Sequence, residues 1–300
     1  MSEPATVEPS QGASESPSAP ATIDVVYHFT DLGVLGGLDS AARAVSPSGV
    51  VVGHADTEPG SAQHGFHAFW WPPMAGVMFD LGTVGDDRSS AANDINGKNQ
   101  IVGASLAADG QSHAFLWDGE MHDLGNLGTV AAEANAINAS GQVTGTSASR
   151  AFLWIPDEPN GAVGDMFEIG TLPGDVMSIG TDLNDSGQVV GYSNDPAFMS
   201  RPFIWTPDTP NGTTGTMTEL SYAPGAHGGV AEAVNADGWV IGSTSVGEPI
   251  ADELPFLWVP DEPNGAVGTA VLLPTLGGDH ADAFDINAAG DIVGYAQLPS

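Results

Sequence analysis

The chain contains no cysteine. Disulfides, thiolate metal sites, cysteine nucleophiles and a lipid-modified cysteine are thereby excluded, while the compartment stays open. Positive charge is scarce as well. Five basic residues, Arg43, Arg88, Lys98, Arg150 and Arg201, face 38 acidic ones, for a net charge of −33. Such a surface repels nucleic-acid phosphates and anionic membranes, so neither is expected as a partner. It favours solubility, attracts cations and tolerates salt, which screens its self-repulsion. A well-solvated acidic surface explains the charge more simply than a dedicated polycation-binding face. Aromatic residues make up only 7%, and no stretch approaches the length of a membrane-spanning helix, so membrane insertion is not expected.

What is present suits many short strands. Over 300 residues, 41% are hydrophobic, with 40 glycines and 22 prolines. That allows a sizeable core built from short elements and tight turns. Residues 1–22, rich in Ser, Pro, Ala and Glu, read as a disordered tail. They have neither the basic n-region nor the apolar h-region of a signal peptide. Residues 23–300 form the repeat region.

Three cues recur there in fixed order. The first is an apolar-acidic-Leu-Gly stretch: FTDLG ending at Gly33, MFDLG at Gly82, MHDLG at Gly125 and FEIG at Gly170, with weaker copies at Leu220 and Gly278. The second is a turn between apolar runs, such as DINGKNQIVG, AINASGQVTG and DLNDSGQVVG. The third is an aromatic run: HAFWW, HAFLW, RAFLW, RPFIW and LPFLW. The glycine closing the second cue falls at positions 53, 103, 145, 191, 242 and 294, in steps of 50, 42, 46, 51 and 52 residues.

A period of this length marks a propeller or a solenoid. Each unit offers four short strand candidates and no amphipathic run long enough for a helix. The expected fold is therefore all-β, a six-unit β-propeller of four-stranded antiparallel blades. In the aromatic strands, Phe69, Phe115, Phe152, Phe203 and Phe256 each precede by two residues Trp71, Trp117, Trp154, Trp205 and Trp258. That spacing places both rings on one face of a strand, to be buried against the next blade. The closing glycines are expected to allow close approach between neighbouring blades. The stretch Val25 to Thr30 reads as the first strand of unit one, and the sixth unit lacks an aromatic strand, so the last blade is expected to be incomplete. Either the ring closes imperfectly or the chain is a fragment of a longer array. Three stretches, WIPDEPNGAVG, WTPDTPNGTTG and WVPDEPNGAVG, read as protruding hairpins with Asp157, Glu158, Asp208, Asp261 and Glu262 as an acidic edge.

The combination of DLGVLGG, DLNDSGQVVG and HAFLW resembles the bacterial HAF repeat family of extracellular repeat proteins. The resemblance covers about Val25 to Tyr295. It implies a repeat-built, exported protein at the cell exterior or surface, and it carries no catalytic residues onto this chain.

Candidate chemistry is sparse. The most divergent loop, Gly53 to His67, holds His54, Asp56, Glu58, His64 and His67. Its first four ligand-type residues, His54, Asp56, Glu58 and His64, are the candidate metal set. Asp182, Asn184, Ser186 and Gly187 mimic the start of an EF-hand loop, but the twelfth position is Ser193 and no flanking helix is expected. The Asp94 copy includes Lys98, and the first copy has Ala44 as its leading residue. Hairpin turns are thus preferred to Ca2+ sites. His67 and His113 are taken as surface or interface residues, because Arg150, Arg201 and Leu254 hold the same place elsewhere. No nucleophile elbow, P-loop or HExxH is present. The favoured function is a monomeric, non-enzymatic binding module presenting loops to a protein or glycan. A propeller glycoside hydrolase or polysaccharide lyase and a purely structural surface repeat are the alternatives. An enzyme would gather unique polar residues at one channel mouth, and a binding module would expose an aromatic patch.

Overall fold

The computed structural model describes residues 29–57, 65–128, 131–247 and 252–299. All regular elements among them are β-strands, in six antiparallel sheets whose strands follow one another in chain order. Unit 1 comprises β1 (Ser40–Val45), β2 (Val51–Asp56), β3 (Phe66–Trp71) and β4 (Phe79–Gly82). Unit 2 comprises β5 (Ser89–Ile95), β6 (Ile101–Leu106), β7 (Ser112–Trp117) and β8 (Met121–Asp123). Unit 3 comprises β9 (Ala132–Ile137), β10 (Val143–Ser147), β11 (Arg150–Pro156) and β12 (Gly164–Gly170). Unit 4 comprises β13 (Met177–Leu183), β14 (Val189–Asn194), β15 (Ser200–Pro207) and β16 (Gly215–Glu219). Unit 5 comprises β17 (Ala226–Val234), β18 (Val240–Val246), β19 (Asp252–Pro260) and β20 (Gly268–Leu272). Unit 6 has two strands, β21 (Ala281–Ile286) and β22 (Ile292–Ala296).

The sheets are phased differently from the sequence cues. The Leu-Gly stretch closes a sheet rather than opening one: β4 pairs with the aromatic β3 before it, and β8 with β7. The local hairpin decides this, because two strands joined by a short connection pair at the least loop entropy. The first sheet accordingly takes its four strands from Ser40–Gly82, and most of the stretch from Val25 to Thr30 lies outside the described residues.

The aromatic strands are core, as their spacing requires. Phe69, Phe115, Phe152 and Phe203 are fully buried, and Trp154 and Trp258 nearly so. The apolar clusters bridge adjacent units. Val102 and Leu116 of unit 2 pack with Phe152 and Trp154 of unit 3, and Val190 and Ile204 of unit 4 with Phe256 and Trp258 of unit 5. The first four interfaces also take the apolar residue of the Leu-Gly cue and the residue three further on: Leu81 and Val84, Leu124 and Leu127, Ile169 and Leu172, Leu220 and Ala223. Leu32 and Leu35 make the same pair against Phe69 and Trp71 of unit 1.

The closing glycines do serve close approach, but inside each sheet rather than between neighbours. A Cβ on Gly103 or Gly191 would stand 2.0 Å from the carbonyl oxygen of Ala91 or Ile179 on the strand alongside. Opposite each glycine the first strand carries one extra residue, a bulge at Arg43, Asn93, Asn135, Thr181, Glu232 and Phe284. A bulge leaves that residue unpaired in its own sheet and re-aims its side chain. Four of these side chains donate to the next unit: Arg43 Nη1 to Asn93 Oδ1 at 2.6 Å, and Asn93 Nδ2 to Ala134 O, Asn135 Nδ2 to Gly180 O and Thr181 Oγ1 to Ala231 O, each at 2.8 Å.

Candidate functional site

One end of the array is locked by a repeated hydrogen-bond pattern. In five of the six turns between first and second strands, an Asn Oδ1 accepts backbone amides of its own loop, as Asn184 does from Ser186 and Gln188 at 3.1 Å, and in unit 1 Ser46 takes its place. The Asn Nδ2 donates onward to the equivalent carbonyl of the next unit. Asn96 reaches Asn138 O, Asn138 reaches Asn184 O and Asn184 reaches Asn235 O, all at 3.1 Å, and Asn235 reaches Asn287 O at 3.3 Å.

The three Pro-Asn-Gly loops join the same pattern. Their acidic residues are exposed as expected, but the loops do not stand free. Asn160, Asn211 and Asn264 adopt left-handed backbone angles, which Asn tolerates. Each donates its N–H to the turn of its own unit, at Ser140, Ser186 or Asp237. Each also accepts at its carbonyl from a glutamine of the preceding unit: Gln100 to Asn160 O at 2.9 Å, Gln142 to Asn211 O at 3.2 Å, Gln188 to Asn264 O at 3.0 Å. The first, fifth and sixth units have Val50, Trp239 and Asp291 at the glutamine position, and none of them is followed by such a loop. The signal for this pairing lay in the sequence, as glutamine in one unit and Pro-Asn-Gly in the next.

Buried carboxylates complete the locked end. The residue after the bulge alternates along the array: Ala44, Asp94, Ala136, Asp182, Ala233, Asp285. Asp94 accepts from its neighbour Ile95 N at 2.7 Å and from Ile137 N of the next unit at 2.8 Å. Asp182 does the same with Leu183 N and Val234 N, both at 2.8 Å. Burial pushes the Asp182 carboxyl up to about 7, outweighing its two amide donors, and like charge on Asp94 and Asp285 adds to the rise. Asp94 is raised for the same first reason. Turns of all six units, from Pro47 to Ala288, line one shared cavity of about 300 Å³.

These bonds bear on the EF-hand likeness. The Asp182 and Asp94 carboxylates and the Asn184 carbonyl oxygen are already engaged by backbone amides. Among the described residues, no three His, Asp or Glu side chains stand close enough to hold a metal ion. His54 and Asp56 lie on β2, while Glu58 and His64 fall outside the described residues. The His54 ring lies 5.0 Å from the Phe66 ring, and its Nδ1 is buried without a partner. Burial, aided by Arg43, lowers its pKa. His67 and His113 pair at 2.9 Å with Asp80 and Asp87, and Arg201 at 2.8 Å with Asp175 and Glu219. In four units, Arg150 with Glu168 at 3.3 Å included, the residue heading the aromatic strand therefore ties it to nearby acids, whereas unit 5 has Leu254 there; Asp87 raises the His113 pKa.

The opposite end, with the connections between second and third strands, is where the units differ. Unit 5 extends there, since β17 and β19 each run to nine residues. A second bulge at Gly228 bends β17. Together with unit 4 it walls a cleft of about 320 Å³, lined by Phe198, Met199, His227, Ser243, Ser245 and Glu253 among others. Phe198 is the unexpected member. It sits in the left-handed region with φ 62° and is 71% exposed. Asp195 builds the turn, its Oδ1 accepting from Ala197 N at 2.8 Å and Met199 N at 3.0 Å. Unit 2 has Gly110 at the matching turn position, with φ 87°. A bulky residue there costs on the order of 1 kcal/mol, and Phe198 does not recover it by burial. Nothing in the local sequence marked it, because a left-handed phenylalanine is visible only in the backbone.

No protein-family model matches the chain. A search of curated proteins finds no similar sequence either.

Proposed function

We propose that the units close into a six-bladed β-propeller of the HAF-repeat kind. In this reading the protein is a non-enzymatic binding module at the cell exterior or surface, and it presents its unit-specific end to a protein or glycan. Three features support closure. Turns from all six units share one cavity. Leu32 and Leu35 cover unit 1 as a preceding unit's Leu-Gly cue would. Asp285 accepts from Ile286 N, as Asp94 and Asp182 do from their own neighbours, and in a ring its second oxygen would meet Val45 N of unit 1. The cysteine-free chain makes the test clean. With Pro47→Cys and Ala288→Cys together, closure predicts rapid intramolecular disulfide formation at micromolar protein, whereas purely intermolecular products would exclude the ring.

The binding reading is carried by Phe198, an exposed aromatic held at a conformational cost beside a cleft with polar walls. Such strain concentrates at functional sites, and aromatic anchors dominate recognition surfaces. Phe198→Gly is expected to raise stability by roughly 0.5–1 kcal/mol, because glycine accepts the left-handed angle. The same change should weaken binding at least tenfold to whatever the wild type retains from an immobilised panel of oligosaccharides and of basic, neutral and acidic peptides. Loss of stability, or unaltered retention across the panel, would assign Phe198 no binding role.

A further inference from the structure

We infer that the cleft between units 4 and 5 takes an arginine side chain of a partner polypeptide, its guanidinium laid on Phe198 and paired with Glu253. This deepens the reading of the cleft as a binding site and rests on it. The charge of the walls decides the class of occupant. Glu253 lines the cleft from β19, and its Oε1 accepts from Ser243 Oγ at 3.4 Å. Two further carboxylates share its field, Glu232 on β17 and Asp282 on β21. Burial first, then the like charges of Asp282 and Glu253, push the Glu232 carboxyl up. One oxygen of Asp282, Oδ1, is buried without a partner. No Lys or Arg follows Arg201 in the sequence, and Arg201 itself is tied to Asp175 and Glu219. Units 5 and 6 therefore hold these acids with no guanidinium or lysine ammonium of their own, and a cleft lined by one sign of charge draws in the other.

The rest of the chain does not supply that group. All five Lys and Arg, at positions 43, 88, 98, 150 and 201, lie among the described residues, so residues 1–28, 58–64, 129–130 and 248–251 contain neither. Size and shape narrow the class further. A volume of about 320 Å³ stands at the lower end of small-ligand pockets, room for one long side chain rather than for an oligosaccharide. Phe198 offers an exposed ring. Arginine stacks on aromatic faces and meets a carboxylate through paired N–H donors, while lysine brings a point charge. Ser243 and Ser245 add hydroxyl acceptors along the wall. Gly228 and Gly229 keep the facing wall bare, and a Cβ on Gly229 would stand 2.5 Å from Ser243 O.

The probe is a labelled Gly-Ser peptide with one central Arg, followed by anisotropy against the full chain at physiological ionic strength, where attraction to distant acids is screened. Saturable binding is expected, lost when citrulline replaces the Arg and weakened when Lys does. Glu253→Gln should weaken it at least tenfold. Glu158→Gln makes the same change on an exposed loop of the locked end and should alter it less than twofold. Equal losses from the two variants, equal binding of the citrulline or Lys peptide, or no saturable binding overturns the proposal. Phe198→Gly separates this failure from failure of the cleft. Where that variant loses an oligosaccharide that the wild type retains while the Arg peptide does not bind, the cleft stands as a binding site and arginine is the wrong occupant. Where it leaves every probe unaffected, the cleft reading falls and the arginine assignment with it.

Discussion

Phe152→Ala is expected to destabilise the protein by about 3–5 kcal/mol, the usual result of emptying a fully buried aromatic site. Phe152 is 0% exposed and packs with Ala134, Val143 and Trp154 of its own unit and with Val102, Ala114 and Leu116 of unit 2. Its loss opens a cavity between two sheets, each of which depends on the other to cover its apolar face. Phe284→Ala is the matched control. That ring is 57% exposed, so its removal should change stability by no more than about 0.5 kcal/mol. Urea unfolding followed by tryptophan fluorescence measures both. Equal effects would mean that the aromatic strands are not the inter-unit core.

The second large effect is a pH dependence centred on Asp182. Its carboxyl is pushed up to about 7, first by burial and then by the like charges of Asp94 and Asp285. In the unfolded chain it titrates near its ordinary value of 3.8. Between roughly pH 4 and pH 7 the native state therefore holds more protons than the unfolded state, and stability falls as pH rises through that window. The contribution is complete below the unfolded value and lost above the folded one. At 1.36 kcal/mol per unit of pKa, it is on the order of 4 kcal/mol. Asp182→Asn removes the titration while retaining an acceptor for one of the two amides. The variant starts less stable in acid, by about 1–3 kcal/mol for the orphaned amide, and gains on the wild type as pH rises. The difference between the two unfolding free energies, measured from pH 4 to pH 8, isolates this group from the general repulsion of an acidic chain. Parallel curves would mean that Asp182 is ionised throughout.

The locked end explains why these two sites differ from their surroundings. Asn ladders and glutamine bonds recur along the array, so losing one is shared among neighbours. Phe152 and Asp182 recur too, as Phe115, Phe203 and Asp94 do, but each carries more of the contact between its two units than a single side-chain hydrogen bond does. The variable end carries no such repetition, and there the strain at Phe198 and the Gly228 bulge shape a cleft that belongs to one pair of units alone.

Much of the architecture was written locally. Alternating apolar residues, a glycine after each Asn turn and Phe and Trp two apart specify short strands, their hairpins and which face must be hidden, because strand periodicity and turn chemistry act over a few residues. The same regularity gave the unit count and marked unit 6 as lacking its aromatic strand. Tertiary structure alone decided the phase of each sheet, the bulge opposite each closing glycine, the folding back of the Pro-Asn-Gly loops and the cleft beside Phe198. Those features arise where distant segments compete for the same hydrogen-bond partners and the same space, and a linear pattern records the competitors but not the outcome.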